Sequence, residues 1–237
     1  MQLSAPLYRL KRRAKQASRN EHVPLHLALD RIAVEEGFQS WGHLSDANST
    51  RRPARDVFPQ LAAADMLLVA ARPGHGKTLL GLELVDLAIS EGRTGLVFSL
   101  EWTEAEIAER LDALRTDSDG GWKPPAIITL DDICADVIIA RAKPYGAAAF
   151  VLVDYLQLLD QRRSNPPLAD QLNALRAYAK RSGAIIAILS QIDRRFTASE
   201  KDMPTLSDLR MPNAFDPATF DRVCFVHDGV VRMQAAA

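Results

Sequence analysis

The sequence predicts an α/β fold in which helices pack on both faces of an open, mostly parallel sheet, with a small helical module in front of it. Three observations favour this fold. Five short apolar runs are continuous and not alternating, which is typical of strands buried on both faces of a parallel sheet. Amphipathic helical stretches separate the runs, and a glycine-rich loop lies directly between the first run and the first of these helices.

The length of 237 residues is enough for one such domain and a small appendage. Hydrophobic residues make up 47% of the chain and charged residues 25%, as in an ordinary soluble globular protein. The net charge of -1 argues against a generally basic nucleic-acid coat. Residues 1–55 nevertheless carry ten Lys or Arg against five Asp or Glu, so a basic N-terminal segment precedes an acidic remainder of the chain.

Cysteine usage and hydropathy indicate the compartment. Cys134 and Cys224 lie far apart, without CxxC spacing or clustered histidines, so neither a zinc site nor a disulfide framework is predicted. No segment approaches the roughly 18 consecutive apolar residues of a membrane span. The basic start of the chain is not followed by an apolar run either. We expect a cytoplasmic protein with no membrane partner.

Residues 1–50 are predicted to form a small basic helical module. Pro24 is a good first helical residue, and Gly37 is a plausible C-cap. Apolar residues recur between them at helical spacing: Leu25, Leu29, Ile32 and Ala33. Three later residues are expected to pack back on this helix: Phe38, Trp41 and Leu44. The polar, proline-containing stretch that follows predicts a linker at residues 51–60 and a second domain at residues 61–237.

The second domain alternates predicted strands and helices. The strands are MLLVA (66–70), GLVFSL (95–100), AIITL (126–130), AFVLVD (149–154) and AIIAILS (184–190). Helices are predicted at 78–89 and 104–114, and a third follows Leu168. A capping box of Thr103 and Glu106 opens the second helix. Three residues of the third helix are expected to face inward: Leu172, Leu175 and Tyr178.

The stretch ARPGHGKT is typical of a phosphate-binding loop. It consists of Ala71, Arg72, Pro73, Gly74, His75, Gly76, Lys77 and Thr78. In this position backbone N–H groups surround the phosphates, Lys77 reaches the terminal phosphates, and the Thr78 hydroxyl can ligate Mg²⁺. Gly74 and Gly76 let the backbone curl tightly around a ligand. The strict pattern has glycine at position 71, so a turn that only resembles the motif is the alternative. His75 is predicted to be an outward-facing filler and not a catalyst.

Polar residues also close three further predicted strands. Asp154 ends its run, so its carboxylate should emerge at the same sheet edge as the loop and serve Mg²⁺; a capped turn is the alternative. Glu101 could orient a water for hydrolysis, or could be an acid that the dipole of the next helix stabilises. Ser190 and Gln191 end the last run, where Gln191 could sense the terminal phosphate. This convergence indicates a site for a nucleoside triphosphate.

The sequence resembles the ATPase domain of DnaB-type replicative helicases, within the RecA-like P-loop ATPases. Five blocks carry the resemblance over about residues 60–228: ARPGHGKT, FSLEWT (98–103), VDYLQLL (153–159), LSQIDRR (189–195) and PTLSDLR (204–210). The family's loops characteristically begin with alanine, as this one does at Ala71. The resemblance implies a RecA-like fold that uses ATP and Mg²⁺. It also implies that Glu101 is the catalytic acid that activates water, Asp154 the magnesium-side acid and Gln191 the sensor.

Nucleic-acid contact is implied at two places. In the same family the loop around SDLR helps to hold single-stranded DNA in the channel of a ring, so the resemblance nominates Arg210 as a DNA contact. It also implies a homo-oligomer that can form a ring. From the residues alone, SDLR also predicts a helix start with Arg210 as a solvated side chain. Few aromatic residues lie there for base stacking. Separately, the basic segment from Arg9 to Arg19 could bind nucleic acid or an acidic partner, or could be a solvated helix face or a disordered arm.

The sequence departs from the family pattern at both ends. The short module of residues 1–50 stands where the family has a large helical domain, and nothing after Gly229 matches the family's basic pair that forms an arginine finger. Such a finger contributes about 10³ to 10⁵ in turnover in other phosphoryl-transfer systems. We expect a Mg²⁺-dependent ATPase that acts on or near DNA in replication, recombination or repair. The alternatives are an ATP-binding regulator or adaptor with little hydrolysis, and one half of a heteromer whose partner supplies the finger.

Overall fold

The structure is a computed structural model, and it describes most of the chain. The described residues are 3–5, 7–44, 52–114, 122–130, 132–156, 159, 165–193, 195–196, 202–210, 215–227 and 229–236. They divide into two compact units, one formed by residues 1–53 with 228–230 and the other by 54–227 with 231–237.

The small unit contains two helices, α1 (Leu7–Glu21) and α2 (Leu25–Glu35). Its core consists of Leu10, Ala14, Ala28, Ile32, Ala33 and Leu44, with Phe38 and Trp41 packed partly buried against it. Helix α2 ends as predicted because Gly37 adopts a left-handed φ of 85°. The N–H of Phe38 then donates to the carbonyl of Ala33 at 2.9 Å, and the N–H of Gly37 donates to Val34 at 3.0 Å. This is the Schellman arrangement, which satisfies carbonyls at a helix end.

The larger unit is built on one sheet. Its strands are β1 (Met66–Ala71), β2 (Thr94–Ser99), β3 (Ala126–Ile128), β4 (Ala149–Asp154), β5 (Ile185–Gln191), β6 (Arg222–His227) and β7 (Val230–Ala235). Their order in the sheet is β3-β2-β4-β5-β1-β6-β7. The β1–β5, β1–β6, β2–β3, β2–β4 and β4–β5 pairs are parallel. The predicted mostly parallel sheet is therefore confirmed.

Helices cover both faces of this sheet, as the continuous apolar runs predict. They are α3 (Ala54–Val57), α4 (Lys77–Ser90), α5 (Glu104–Leu114), α6 (Ala135–Ala142) and α7 (Leu168–Ser182). Successive residues of β1 point to opposite faces, so Leu67 and Val69 pack with α4 and α5, while Leu68 packs with α6 and α7. All three side chains are fully buried. Burial on both sides explains why the strand has no polar alternation.

Several segments differ from the sequence-based expectations. Residues 54–60, expected in the linker, form α3 and a 3₁₀ turn at Phe58–Gln60, because Ala54 and Val57 are buried in the core of the larger unit. The third strand ends at Ile128, two residues early. Helix α6 and strands β6 and β7 were not predicted; the buried apolar part of β6 is only four residues long, and β7 is largely exposed. Residues 45–51 lie outside the described residues.

Candidate functional site

The loop between β1 and α4 contains two glycines in a backbone conformation that other residues rarely adopt. Gly74 and Gly76 have left-handed φ values of 76° and 85°, which favour glycine. A Cβ at either position would meet no atom within 4 Å, so the space beside the loop is open. Helix α4 begins at Lys77, and its first turn contains no acidic residue. Its free N–H groups and the positive end of its dipole are therefore available to an anion.

Lys77, Thr78 and Asp154 meet beside this loop. Lys77 Nζ lies 3.1 Å from Asp154 Oδ1, and the Thr78 hydroxyl donates to Asp154 Oδ2 at 2.9 Å. The three residues are 6%, 9% and 1% exposed, respectively. A buried carboxylate is costly unless it is paired and hydrogen-bonded. Lys77 and Thr78 supply these contacts, so the sheet presents an acid that is held in a fixed position.

Glu101 is the second acid of this cluster. It lies two residues beyond β2 and three before α5, and its Oε2 is 3.3 Å from Lys77 Nζ. Its side chain is 36% exposed, so it can contact water, unlike Asp154. The ammonium of Lys77 also lies over the Tyr155 ring, 5.4 Å from its centre. One cation between two carboxylates leaves the cluster with a net negative charge.

The donor set fits magnesium with a phosphate ligand. Mg²⁺ is usually held by one or two carboxylates, water and substrate phosphates. Asp154 and Thr78 offer a carboxylate and a hydroxyl at the loop. Among the described residues no group of three or more His, Cys, Asp or Glu side chains could hold a metal by itself. The described residues therefore do not form a metal site made of protein ligands alone.

Gln191 and Arg210 line a cavity that is also lined by Pro73 of the loop. The cavity has a volume of about 410 Å³, and its lining consists of Pro73, Gln191, Ile192, Asp193 and Arg210. The Arg210 N–H donates to the Gln191 carbonyl at 2.8 Å, and its guanidinium donates to the Gln191 side-chain oxygen at 3.4 Å. The predicted helix start is also present, as a 3₁₀ turn at Leu206–Asp208. The structure therefore places the expected sensor and the expected DNA contact side by side.

Comparison with known protein families shows which family the chain belongs to. A model of the DnaB-like helicase C-terminal domain matches residues 56–119 and 126–235. The chain belongs to this family. The resemblance that the five sequence blocks predict is thus confirmed.

Among the curated relatives, the replicative DNA helicase DnaB of Synechocystis sp. is 28% identical over 181 residues, which are 63% of this chain and 21% of the relative. The DnaB helicase of Mycoplasma pneumoniae is 27% identical over 203 residues, 69% of this chain and 42% of the relative. The chain therefore spans less than half the length of these relatives.

Two solved structures share the fold of the chain. One is an ATPase domain that is 21% identical, with a TM-score of 0.56 and coverage of 70% of each chain. The other is a DnaB-like replicative helicase, solved in a study of its interactions with primase. It is 19% identical with a TM-score of 0.56, and the match covers 92% of this chain and 66% of the other.

His75 of this DnaB-like domain makes a contact that the sequence did not predict. Its ring stacks on His227, with centres 5.3 Å apart and planes 8° from parallel. Phe196 packs edge-on against the same His227 at 5.1 Å. His75 is half-buried and not simply an outward-facing filler. The reason lies in the sheet order, since β6 pairs beside β1 and brings His227 next to the phosphate loop.

Two other residues of this region have buried polar atoms. Ser190 is fully buried at the end of β5, and its hydroxyl has no hydrogen-bond partner in the described structure. The Nε of Arg72 is also buried without a partner there.

None of the described helices is long and apolar enough to cross a membrane.

Proposed function

We propose that the chain is a Mg²⁺-dependent ATPase of the DnaB-like class that acts on single-stranded DNA in replication, recombination or repair. The observation that carries the proposal is the position of Lys77. It lies 3.1 Å from Asp154 and 3.3 Å from Glu101, next to a glycine loop with open space beside its two glycines. Phosphoryl transfer to water requires a phosphate cradle, a cation and acids that bind the metal and orient the water. The two acids here differ in exposure.

The residues of the loop would hold the phosphates of ATP. The N–H groups at the start of α4 supply directional donors, and Lys77 supplies the positive charge. Gly74 and Gly76 would leave room for the phosphates, because the space beside both glycines is open. The rest of the loop between β1 and α4 is formed by Arg72, Pro73 and His75. Of these, His75 is fixed by its stack on His227.

Thr78 and Asp154 are the residues that would hold Mg²⁺. When bound, Mg²⁺ neutralises phosphate charge and stabilises the charge that develops during transfer. Asp154 is kept in place by two hydrogen bonds, from Lys77 at 3.1 Å and Thr78 at 2.9 Å. A carboxylate that is oriented beforehand loses little freedom when it binds a ligand.

Glu101 is the residue that we propose as the base. Its carboxylate contacts solvent, whereas Asp154 is almost completely buried. A base must reach the attacking water, so the more exposed acid suits this role and the buried acid suits the metal. A positioned base contributes about 10²- to 10⁴-fold to the rate.

Gln191 and Arg210 would connect the ATP site to DNA. Gln191 ends β5 beside the phosphate loop, and Arg210 exposes its side chain on the same cavity. The guanidinium can donate to a phosphate of single-stranded DNA while the backbone N–H stays bound to Gln191. We further propose a cytoplasmic homo-oligomer that can close into a ring, in which a neighbouring subunit or another partner supplies an arginine to the site.

The test is the rate of ATP hydrolysis by the purified chain at several protein concentrations, with and without Mg²⁺ and single-stranded DNA. The proposal expects hydrolysis that requires Mg²⁺, increases with DNA, and rises more than linearly with protein concentration because subunits share the site. Binding of ATP without turnover under every condition, DNA included, would contradict the proposal that the chain is an enzyme. It would favour an ATP-binding regulator. A rate strictly proportional to protein concentration would contradict only the claim that subunits share the ATP site.

A further inference from the structure

Helix α1 of the small unit has an exposed basic face. Lys11, Arg12, Lys15 and Arg19 are all exposed, whereas Leu10 and Ala14 are fully buried. At 100° of rotation per residue, the four cations fall within an arc of about 100° that lies away from the two buried residues. From the first cation to the last they extend over about 12 Å of helix. The arrangement is therefore a stripe of positive charge along the solvent side of α1.

Neighbouring acids do not neutralise this stripe. In the small unit each described acid has a partner elsewhere: Glu35 pairs with Arg13 at 2.9 Å, and Glu21 pairs with Arg31. Asp30 accepts from the Trp41 N–H at 2.8 Å, and Glu36 accepts from the Ser4 N–H at 2.7 Å. The four cations of the stripe have no ion pair with any described residue. Their mutual repulsion is a cost that a polyanion would relieve.

We infer that this basic face binds the phosphate backbone of duplex DNA. Duplex DNA carries one negative charge per about 1.7 Å of its axis, so a stripe of about 12 Å can meet several phosphates at once. The stripe consists of cations, which match phosphates and not bases, and duplex DNA concentrates more phosphate charge along its axis than a single strand does. Residues 10–21 of α1 present no exposed apolar side chain for insertion into a lipid surface. Charge complementarity therefore favours the backbone of a double helix, bound without sequence preference.

This binding is independent of ATP and of the site proposed above. A fluorescence anisotropy titration of the full chain with a labelled duplex of about 30 base pairs, at several salt concentrations, tests it. Four phosphate contacts predict a slope of about -3.6 in the logarithm of the association constant against the logarithm of salt. The variant that carries Lys11→Gln, Arg12→Gln, Lys15→Gln and Arg19→Gln should bind at least about 10-fold more weakly in low salt, with a slope close to zero.

The matched control removes four exposed charges from the larger unit: Lys123→Gln, Arg141→Gln, Lys143→Gln and Arg181→Gln. It should keep the affinity and the salt slope of the wild type, as should Lys77→Ala. Equal losses in the control and in the α1 variant would overturn the inference, because net charge alone would then explain binding. An α1 variant that loses as much affinity for a single strand of the same length, or for phosphatidylserine vesicles, as it loses for the duplex would also overturn it. The wild-type salt slope is informative without any variant, since a slope weaker than about -1 excludes a four-cation contact.

Discussion

The backbone N–H of Arg210 donates a hydrogen bond to the carbonyl oxygen of Gln191 at 2.8 Å. A second bond, from the Asp193 N–H to the Asp208 carbonyl at 2.8 Å, and an antiparallel bridge between Ile192 and Leu209 extend this contact. The end of β5 and the segment before Arg210 are thus joined by main chain. A displacement of Gln191 would move Arg210 with it, whatever the side chains do.

Arg210→Ala should separate DNA stimulation from basal hydrolysis. A charge-assisted contact to one phosphate contributes roughly 1.5 to 3 kcal/mol, so we expect single-stranded DNA to bind about 10- to 150-fold more weakly. Because the backbone hydrogen bond remains, hydrolysis without DNA should change less than about twofold. Arg195→Ala is the matched control, since Arg195 is 94% exposed and pairs with Asp193 in the same region. Equal effects of the two variants on DNA affinity would rule out a specific role of Arg210.

Thr78→Val and Asp154→Asn should raise the Mg²⁺ concentration that hydrolysis requires. Valine keeps the shape of threonine but removes the hydroxyl, and asparagine removes the charge that attracts the cation. We expect at least about a tenfold increase in the half-saturating Mg²⁺ concentration for Asp154→Asn, measured at fixed ATP. Thr78→Ser keeps the hydroxyl and should behave like the wild type. An unchanged Mg²⁺ requirement in both Thr78→Val and Asp154→Asn would exclude the assigned ligands.

His227→Ala should weaken ATP binding without a matching loss of turnover. The ring of His227 holds His75 of the phosphate loop, and aromatic pairs contribute about 0.5 to 1.5 kcal/mol. Loss of the stack should raise KM for ATP about two- to tenfold and leave kcat nearly unchanged. His227→Phe preserves a flat ring and should rescue KM. If the phenylalanine variant is as impaired as the alanine variant, stacking is not what positions the loop.

Asp221→Asn should destabilise the protein at neutral pH and have little effect in acid. Burial acts to raise the pKa of Asp221, but hydrogen bonds from the Met66 N–H and Lys180, with the charges of Arg176 and Lys180, lower it below its ordinary value of 3.8. A lowered folded-state pKa stabilises the fold above the unfolded-state pKa and loses this effect as pH falls through the folded value. The cost at pH 7 should be about 1 kcal/mol, because water partly screens this carboxylate. Urea unfolding of both proteins at pH 7 and at about pH 3 measures the difference, and an equal cost at both pH values would contradict this linkage.

The sequence predicted the parts of the site that local patterns determine. Lys77, Asp154 and Glu101 follow apolar runs, and parallel strands bring their carboxyl ends to one sheet edge, so their proximity was expected. The bounds of Glu104–Leu114 also agree, because the Thr103–Glu106 capping box is formed in the structure. The contact between His75 and His227 could not be predicted, since it depends on the position of β6 beside β1. Strand order is set by packing across the whole domain and leaves no local signal.

The most direct test compares wild type and Glu101→Gln in parallel measurements of ATP affinity and ATP hydrolysis. Glutamine keeps the size of the side chain but cannot accept a proton from water. Glu101→Gln should bind ATP within about threefold of wild type and hydrolyse it at least about 100-fold more slowly. Full hydrolysis by Glu101→Gln would contradict the central claim that Glu101 is the base of an ATPase site built around Lys77.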